Sequence, residues 1–197
     1  MGRASSTLEA LLVSKVRIKV LKFFLLQPDV KLHLRGIVRE IDEEINAVRR
    51  ELTRLEEVGI VVSEEVGSKK FFQQNKESVY YYELLSMMHK AFGLGGKVIR
   101  ANKALGELKF ALLTEDYLKQ THTSSQKIDL VVIGTIDLPK LTELVEQAEQ
   151  KLNREIFYTV MTEREFFLKK KRRDPFVLNI LTQRIVLLIG SYEELIF

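Results

Sequence analysis

Between Ser14 and Leu26 the apolar residues Val16, Val20, Leu21, Phe24 and Leu25 recur at helical spacing, with Lys15, Arg17, Lys19 and Lys22 between them. Pro28 ends that helix, because proline lacks an amide hydrogen and restricts the residue before it. Lys31-Leu32-His33-Leu34 reads as a short extended link. A second helix is predicted over Arg35–Ile41, with Ile37, Val38 and Ile41 inward, and Asp42-Glu43-Glu44 form a turn. A third helix runs from Ile45 to Val58 and buries Val48, Leu52 and Leu55. Gly59 follows where a left-handed cap would sit. Two strands, Ile60–Val66 and Lys70–Gln74, flank Gly67-Ser68-Lys69, which reads as a hairpin loop. A helix over Ser78–Phe92 completes this half. Its Tyr80, Leu84, Leu85, Met88 and Phe92 offer apolar surface for pairing two copies, and Tyr80, Tyr81 and Tyr82 read as packing residues.

The rhythm changes after Gly93, Gly95 and Gly96, the densest glycine stretch. Leu94-Gly95-Gly96-Lys97 lacks the longer pattern of a phosphate loop and reads as a hinge. A helix over Gly96–Gly106 is followed by a strand, Leu108–Leu113, and a polar segment, Thr114–Lys127. The apolar run Ile128–Ile133 is a second strand. Pro139 opens a helix over Lys140–Leu152, and Ile156–Met161 is a third strand. Thr162 with Glu165 three residues on has capping-box spacing. A last helix or strand spans Phe176–Ile189. The domains expected are 1–92, a linker helix over 93–106, and 107–197.

Composition removes some chemistry. The chain has 197 residues and no cysteine, which excludes disulfides and thiolate metal sites. Its three histidines, His33, His89 and His122, are scattered, so no metal or other cofactor is expected. Met1–Thr7 lacks the apolar core of a signal peptide, and no apolar run reaches membrane-spanning length. A cytoplasmic location is the expectation. The net charge of +4 is spread evenly: residues 1–90 carry 15 Lys+Arg against 13 Asp+Glu, and residues 91–197 carry 16 against 14. So small an excess says nothing about nucleic acid; only placement of the charges can.

Placement does point that way in the first half. Three short helices and a glycine-turned hairpin are the layout of a winged helix-turn-helix, in which the third helix enters the major groove of double-stranded DNA. With Val48, Leu52 and Leu55 inward, Asn46, Arg49, Arg50, Thr53 and Arg54 project outward or from the helix ends. Such side chains read base edges or hold phosphates. Ser68, Lys69 and Lys70 stand at the hairpin, and Arg35 and Arg39 on the second helix suit the flanking backbone. A solvated basic face is the bland alternative, and Asp42, Glu43, Glu44, Glu64 and Glu65 weaken the positive field. The stretch Leu34–Ile41, then Val48–Val61, then Lys70-Phe71-Phe72-Gln73-Gln74-Asn75, resembles the ArsR-like and MarR-like regulators of transcription. The resemblance implies operator binding as a homodimer.

In the second half, Lys127-Ile128-Asp129-Leu130-Val131-Val132-Ile133-Gly134 is similar to the minimal nucleotidyltransferase fold, as are Asn153–Ile156, Thr162–Phe166 and Asp174–Val177. The fold class implied is α+β: an N-terminal winged helix-turn-helix followed by a small α/β nucleotidyltransferase-like domain. Active members carry a Gly-Ser pair and then two aspartates that hold metal ions. Here Glu115-Asp116 stand at the Gly-Ser position, Lys127 replaces the first aspartate, and only Asp129 remains; Phe157 and Thr159 occupy the later carboxylate positions. A degenerate, non-catalytic domain is therefore expected. The rivals are a transferase using Asp129 with Glu115, Asp116 or Glu155, and an interaction module that docks a protein partner such as a helical toxin. Lys169-Lys170-Lys171-Arg172-Arg173 is the densest charge run, either a solvated face or a source of extra phosphate contacts.

Overall fold

The computed structural model describes residues 3–120 and 127–197. His122 and the 121–126 part of the polar segment lie outside the described residues. The fold is mixed α+β with two small sheets. The chain divides into two compact units, Met1–Ala91 and Phe92–Phe197.

In the first unit α1 (Arg3–Leu12), which hydrophobic periodicity did not announce, precedes α2 (Lys15–Leu25). Ser14 caps α2 by accepting the Arg17 amide hydrogen at 3.1 Å. Ile18 and Phe23 are buried there besides Val20, Leu21, Phe24 and Leu25. The extended link becomes β1 (Leu32–His33), α3 spans Leu34–Ile41, and α4 spans Ile45–Glu57. Asp42 ends α3 in the left-handed region, and the Lys19 ammonium donates to the Ile41 carbonyl at 3.1 Å. Strands β2 (Val61–Val66) and β3 (Lys69–Gln74) pair antiparallel from Val61↔Gln74 to Val66↔Lys69, and β1 adds to β3. The hairpin turn is thus Gly67-Ser68 alone, with Gly67 at a φ of 61°, the left-handed value a two-residue turn requires. Lys69 belongs to the strand, not to the loop. Helix α5 (Tyr81–Ala91) closes the unit; its Leu85 and Met88 are buried, which removes them from the apolar surface read for pairing.

The second unit opens with α6 (Gly93–Ala101), three residues earlier than expected. Leu94, Gly95 and Gly96 are buried inside this helix, so the hinge reading of that tetrapeptide is corrected. There follow β4 (Gly106–Leu113), α7 (Glu115–Lys119), β5 (Leu130–Ile136), α8 (Leu138–Leu152), β6 (Tyr158–Met161), α9 (Glu163–Lys171), α10 (Pro175–Thr182), β7 (Val186–Ile189) and α11 (Tyr192–Ile196). The terminal segment is thus helix and strand both, and the polar segment holds a helix. Sheet order is β6-β5-β4-β7, with only the β5–β6 pair parallel. Alternate residues of β4 and β5 face opposite ways. Phe110, Leu112, Val131 and Ile133 join Phe166, Val177, Ile180 and Leu195 in one core. Ala111, Leu113, Leu130 and Val132, equally buried, face the other way, where α6 packs on β4, β7 and α8. A sheet covered on both faces explains the unbroken apolar runs.

Among the described residues no helix is long and apolar enough to cross a membrane. Gly134 pairs with Leu108 beside a register shift in β4, at a φ of 145° where a Cβ would lie 2.2 Å from the Glu107 carbonyl oxygen. Gly134→Ala is expected to destabilise the second unit by about 1–3 kcal/mol, seen as a lower urea midpoint by circular dichroism. An unchanged midpoint would show that the two strands separate there at no cost.

Candidate nucleic-acid interface

Helix α4 starts where the Glu44 carboxylate accepts the Asn46 and Ala47 amide hydrogens, both at 2.8 Å. These two bonds hold the Glu44 carboxyl below its usual range. Val48, Leu52 and Leu55 are buried, and Asn46, Arg49, Arg50, Thr53 and Arg54 are exposed. Arg49 donates to the Asn46 side-chain oxygen at 3.0 Å, so the two act as one polar group at the start of the helix. Arg35 and Arg39 are exposed on α3, and Ser68, Lys69 and Lys70 on the hairpin. Arg35, Arg49, Thr53, Ser68, Lys69 and Lys70 line one open groove of about 600 Å³, floored by Leu34, Ile45 and Phe72. Arg50 and Arg54 are not among its lining residues, nor are Asn46 and Arg39.

Two of the cations are tied down. Lys70 pairs with Glu56 of α4 at 2.8 Å, and Ser63 of β2 hydrogen-bonds the same carboxylate. Those two bonds lower the Glu56 pKa and clip the hairpin to the helix. Arg54 donates to Glu51 at 3.3 Å. The acids named in the sequence are partly engaged as well: Glu43 pairs with Lys19 at 2.7 Å, Glu64 with Lys31, and Glu44 serves as the cap. Lys19 and Lys31 thus offset Glu43 and Glu64, whereas the ionised Glu44 still acts on Arg49 and Arg50.

Glu51 is the residue that sequence reasoning missed. It is buried on α4, accepts the Ser14 hydroxyl at 2.9 Å, and pairs with Arg17 at 2.8 Å. Burial opposes its charge, but the Arg17 and Ser14 hydrogen bonds outweigh that and hold the carboxyl below its ordinary value. Its position three residues after Val48 was the available signal, since that spacing puts it on the inward face.

In the second unit Asp129 is fully buried just before β5. Its carboxylate accepts the Phe157 amide hydrogen at 2.9 Å and faces Arg154 at 3.4 Å and Lys127 at 3.7 Å. Arg154 stacks on the Tyr117 ring, 4.7 Å from its centroid. Of the other acids considered, Glu115 pairs with Lys119 at 2.8 Å, Asp116 is half-buried on the same short helix, and Glu155 is exposed. Thr159 is half-buried in β6 and Phe157 exposed before it. Among the described residues no cluster of three or more His, Asp or Glu is arranged to hold a metal ion.

No family model matches the chain, and no curated protein does. A solved structure, reduced HlyU from Vibrio cholerae N16961, is similar to 45% of this chain and 88% of its own length, at 16% identity and a TM-score of 0.35. That level of likeness carries no weight for function.

Glu51→Gln is expected to cost about 1–2 kcal/mol, below the ~3–5 of a fully buried broken pair, because the Arg17 side chain is 31% exposed. The depressed carboxyl makes the sign definite. Its contribution is complete above the ordinary value of 4.5 and fades as pH falls through the lower folded value. Thermal melts of both proteins should thus differ most near neutral pH and converge in acid. A gap that widens in acid would contradict the assignment.

Proposed function

We propose that the first unit is a winged helix-turn-helix of the ArsR-like or MarR-like kind that binds double-stranded DNA, and that the chain is a cytoplasmic transcriptional regulator. One observation carries the reading. Exposed Arg49 and Thr53 of α4 share a groove with exposed Ser68, Lys69 and Lys70 of the hairpin. A helix side and a hairpin tip that converge in this way suit a major groove and its phosphate edge. Arg49, Arg50 and Asn46 act on base edges, Arg54 beside them, while Arg35, Arg39, Ser68, Lys69 and Lys70 hold phosphates. Binding to a palindromic operator implies a homodimer, and Val79 and Tyr80, 83% and 64% accessible, are the most exposed large apolar residues near α5.

The second unit is proposed as a non-catalytic, nucleotidyltransferase-like domain, with an interaction module that docks a protein partner as the rival reading. Support comes from Asp129, whose carboxylate is spent on a backbone amide and two cations. A carboxylate so placed offers no free oxygen edge to a magnesium ion. Magnesium-dependent incorporation of labelled nucleotide, lost on Asp129→Asn, would overturn this part.

The decisive experiment is double reversal, Arg49→Glu with Arg50→Glu. Both residues are exposed, so folding by circular dichroism should persist. Duplex affinity, by fluorescence anisotropy, should drop roughly thirtyfold or more, the effect of losing two charge contacts of about 1–3 kcal/mol each. Retained affinity would remove α4 as the reading element.

A further inference from the structure

The basic run at the end of α9 has a geometry of its own. Five cations stand in a row, Lys169 to Arg173, and two are engaged within the fold. Lys169 lies 3.6 Å from Asp174 and over the Phe176 ring, and Lys170 donates to the Leu195 carbonyl at 2.9 Å. Lys171, Arg172 and Arg173 are exposed and have no ion-pair partner among the described residues. Arg173 takes a φ of 54°, which turns the chain sharply between α9 and α10. An open hollow at this turn is lined by Leu168, Lys169, Arg172, Arg173 and Pro175, and by the acids Glu165 and Asp174.

Those two acids offset part of the hollow's positive charge, since Asp174 faces Lys169 and Glu165 also acts on Lys169, but neither pairs with an arginine among the described residues. Glu165 accepts the amide and the hydroxyl of Thr162, both at 2.8 Å, in the capping box. Asp174 caps α10 by accepting the Phe176 and Val177 amide hydrogens at 3.1 and 3.3 Å. Each is satisfied by a helix end, whereas the guanidinium groups beside them are open to solvent. The result is a concave surface where the free Arg172 and Arg173 and the paired Lys169 surround a small apolar floor, with Leu168 45% exposed and the exposed Lys171 next in the chain.

We propose that the α9–α10 turn is a second, sequence-independent DNA contact that holds the phosphate backbone. The proposal rests on the DNA-binding reading of the first unit. Guanidinium groups match phosphate oxygens in a fork geometry, and several cations in a row suit the regular charge of a duplex strand better than one carboxylate. The floor is too small and the hollow too open to grip a helix of a protein partner, which would need anchoring apolar pockets. Once the first unit has bound, its duplex is also present at high effective concentration.

The test uses the full chain and a fluorescein-labelled duplex of mixed sequence, with affinity measured across a salt series. The variant is Lys171→Gln with Arg172→Gln and Arg173→Gln; the control, Lys103→Gln with Lys140→Gln and Lys151→Gln, removes the same charge elsewhere in the second unit. The first variant should bind roughly tenfold or more weakly in moderate salt and lose about 2–3 from its salt slope, near 0.9 for each phosphate contact. The control should keep the wild-type slope. Wild-type slope in the first variant, with duplex binding intact, overturns this proposal and leaves the reading of the first unit standing. Equal losses in variant and control also overturn it, since net charge alone would then suffice. If the variant keeps duplex binding but loses binding to polyglutamate, the surface belongs to an acidic protein. Absence of duplex binding by the wild-type chain overturns the reading of the first unit and this proposal together.

Discussion

The rotation of α4 about its own axis is the constraint on which the first unit depends. A helix turns about 100° per residue, so one step of rotation would exchange Arg49 for Val48 in the core. Val48, Leu52 and Leu55 prevent this, because each is buried and each contributes about 1.5–3 kcal/mol by leaving water. Glu51 adds direction to that grip. Its hydrogen bonds with Ser14 and Arg17 tie the inward face to the start of α2, and its contact with Arg54 reaches the outward face. The exposed row of α4 is therefore held from beneath by both apolar and charged contacts.

The hairpin is positioned by a second set of contacts. Phe72 packs inward, β1 pairs along β3, and the Glu56 carboxylate links α4 to Ser63 and Lys70. Lys70 is thereby partly withdrawn from solution, while Lys69 and Ser68 stay free beyond it. A cation that already has a carboxylate partner gains less from a phosphate than a free one does. By the same logic Arg49 and Arg50 outrank Arg54 as contributors to any contact of this face with an anion.

Much of this organisation was legible in the sequence. The bounds of α2, α3 and α4, the hairpin and the Thr162–Glu165 capping box follow from periodicity and local chemistry, which act over a few residues. The misses share a different cause. Strand β1 is legible as an extended link, but its pairing with β3, some forty residues on, leaves no trace in the local pattern. Gly95 and Gly96 look like a flexible link in sequence, yet they form helix because packing overrides the intrinsic weakness of glycine in helices. Arg17 and Glu51 are 34 positions apart, and a polar pair across that gap leaves no trace in any window of the chain. The same holds for the Asp129 carboxylate and the Phe157 amide.

Charge bookkeeping ends in a similar distinction between composition and place. A net charge of +4 over 197 residues creates little long-range attraction for a polyanion, and physiological salt screens it beyond about 8 Å. Association of the proposed kind must then rest on short-range contacts from cations that the fold leaves unpaired. The two units reach that state by different means. In the first, Lys19 and Lys31 offset Glu43 and Glu64, while the capping Glu44 makes no ion pair with Arg49 or Arg50 among the described residues. In the second, Glu165 and Asp174 cap α9 and α10 and spend their remaining influence on Lys169, leaving Arg172 and Arg173 without a carboxylate partner among the described residues. Helix capping, usually considered only for stability, here also fixes where negative charge sits: a capping carboxylate such as Glu44 stays ionised and acts on the neighbouring Arg49 and Arg50, so the position of each cap helps set how strong the nearby positive field is.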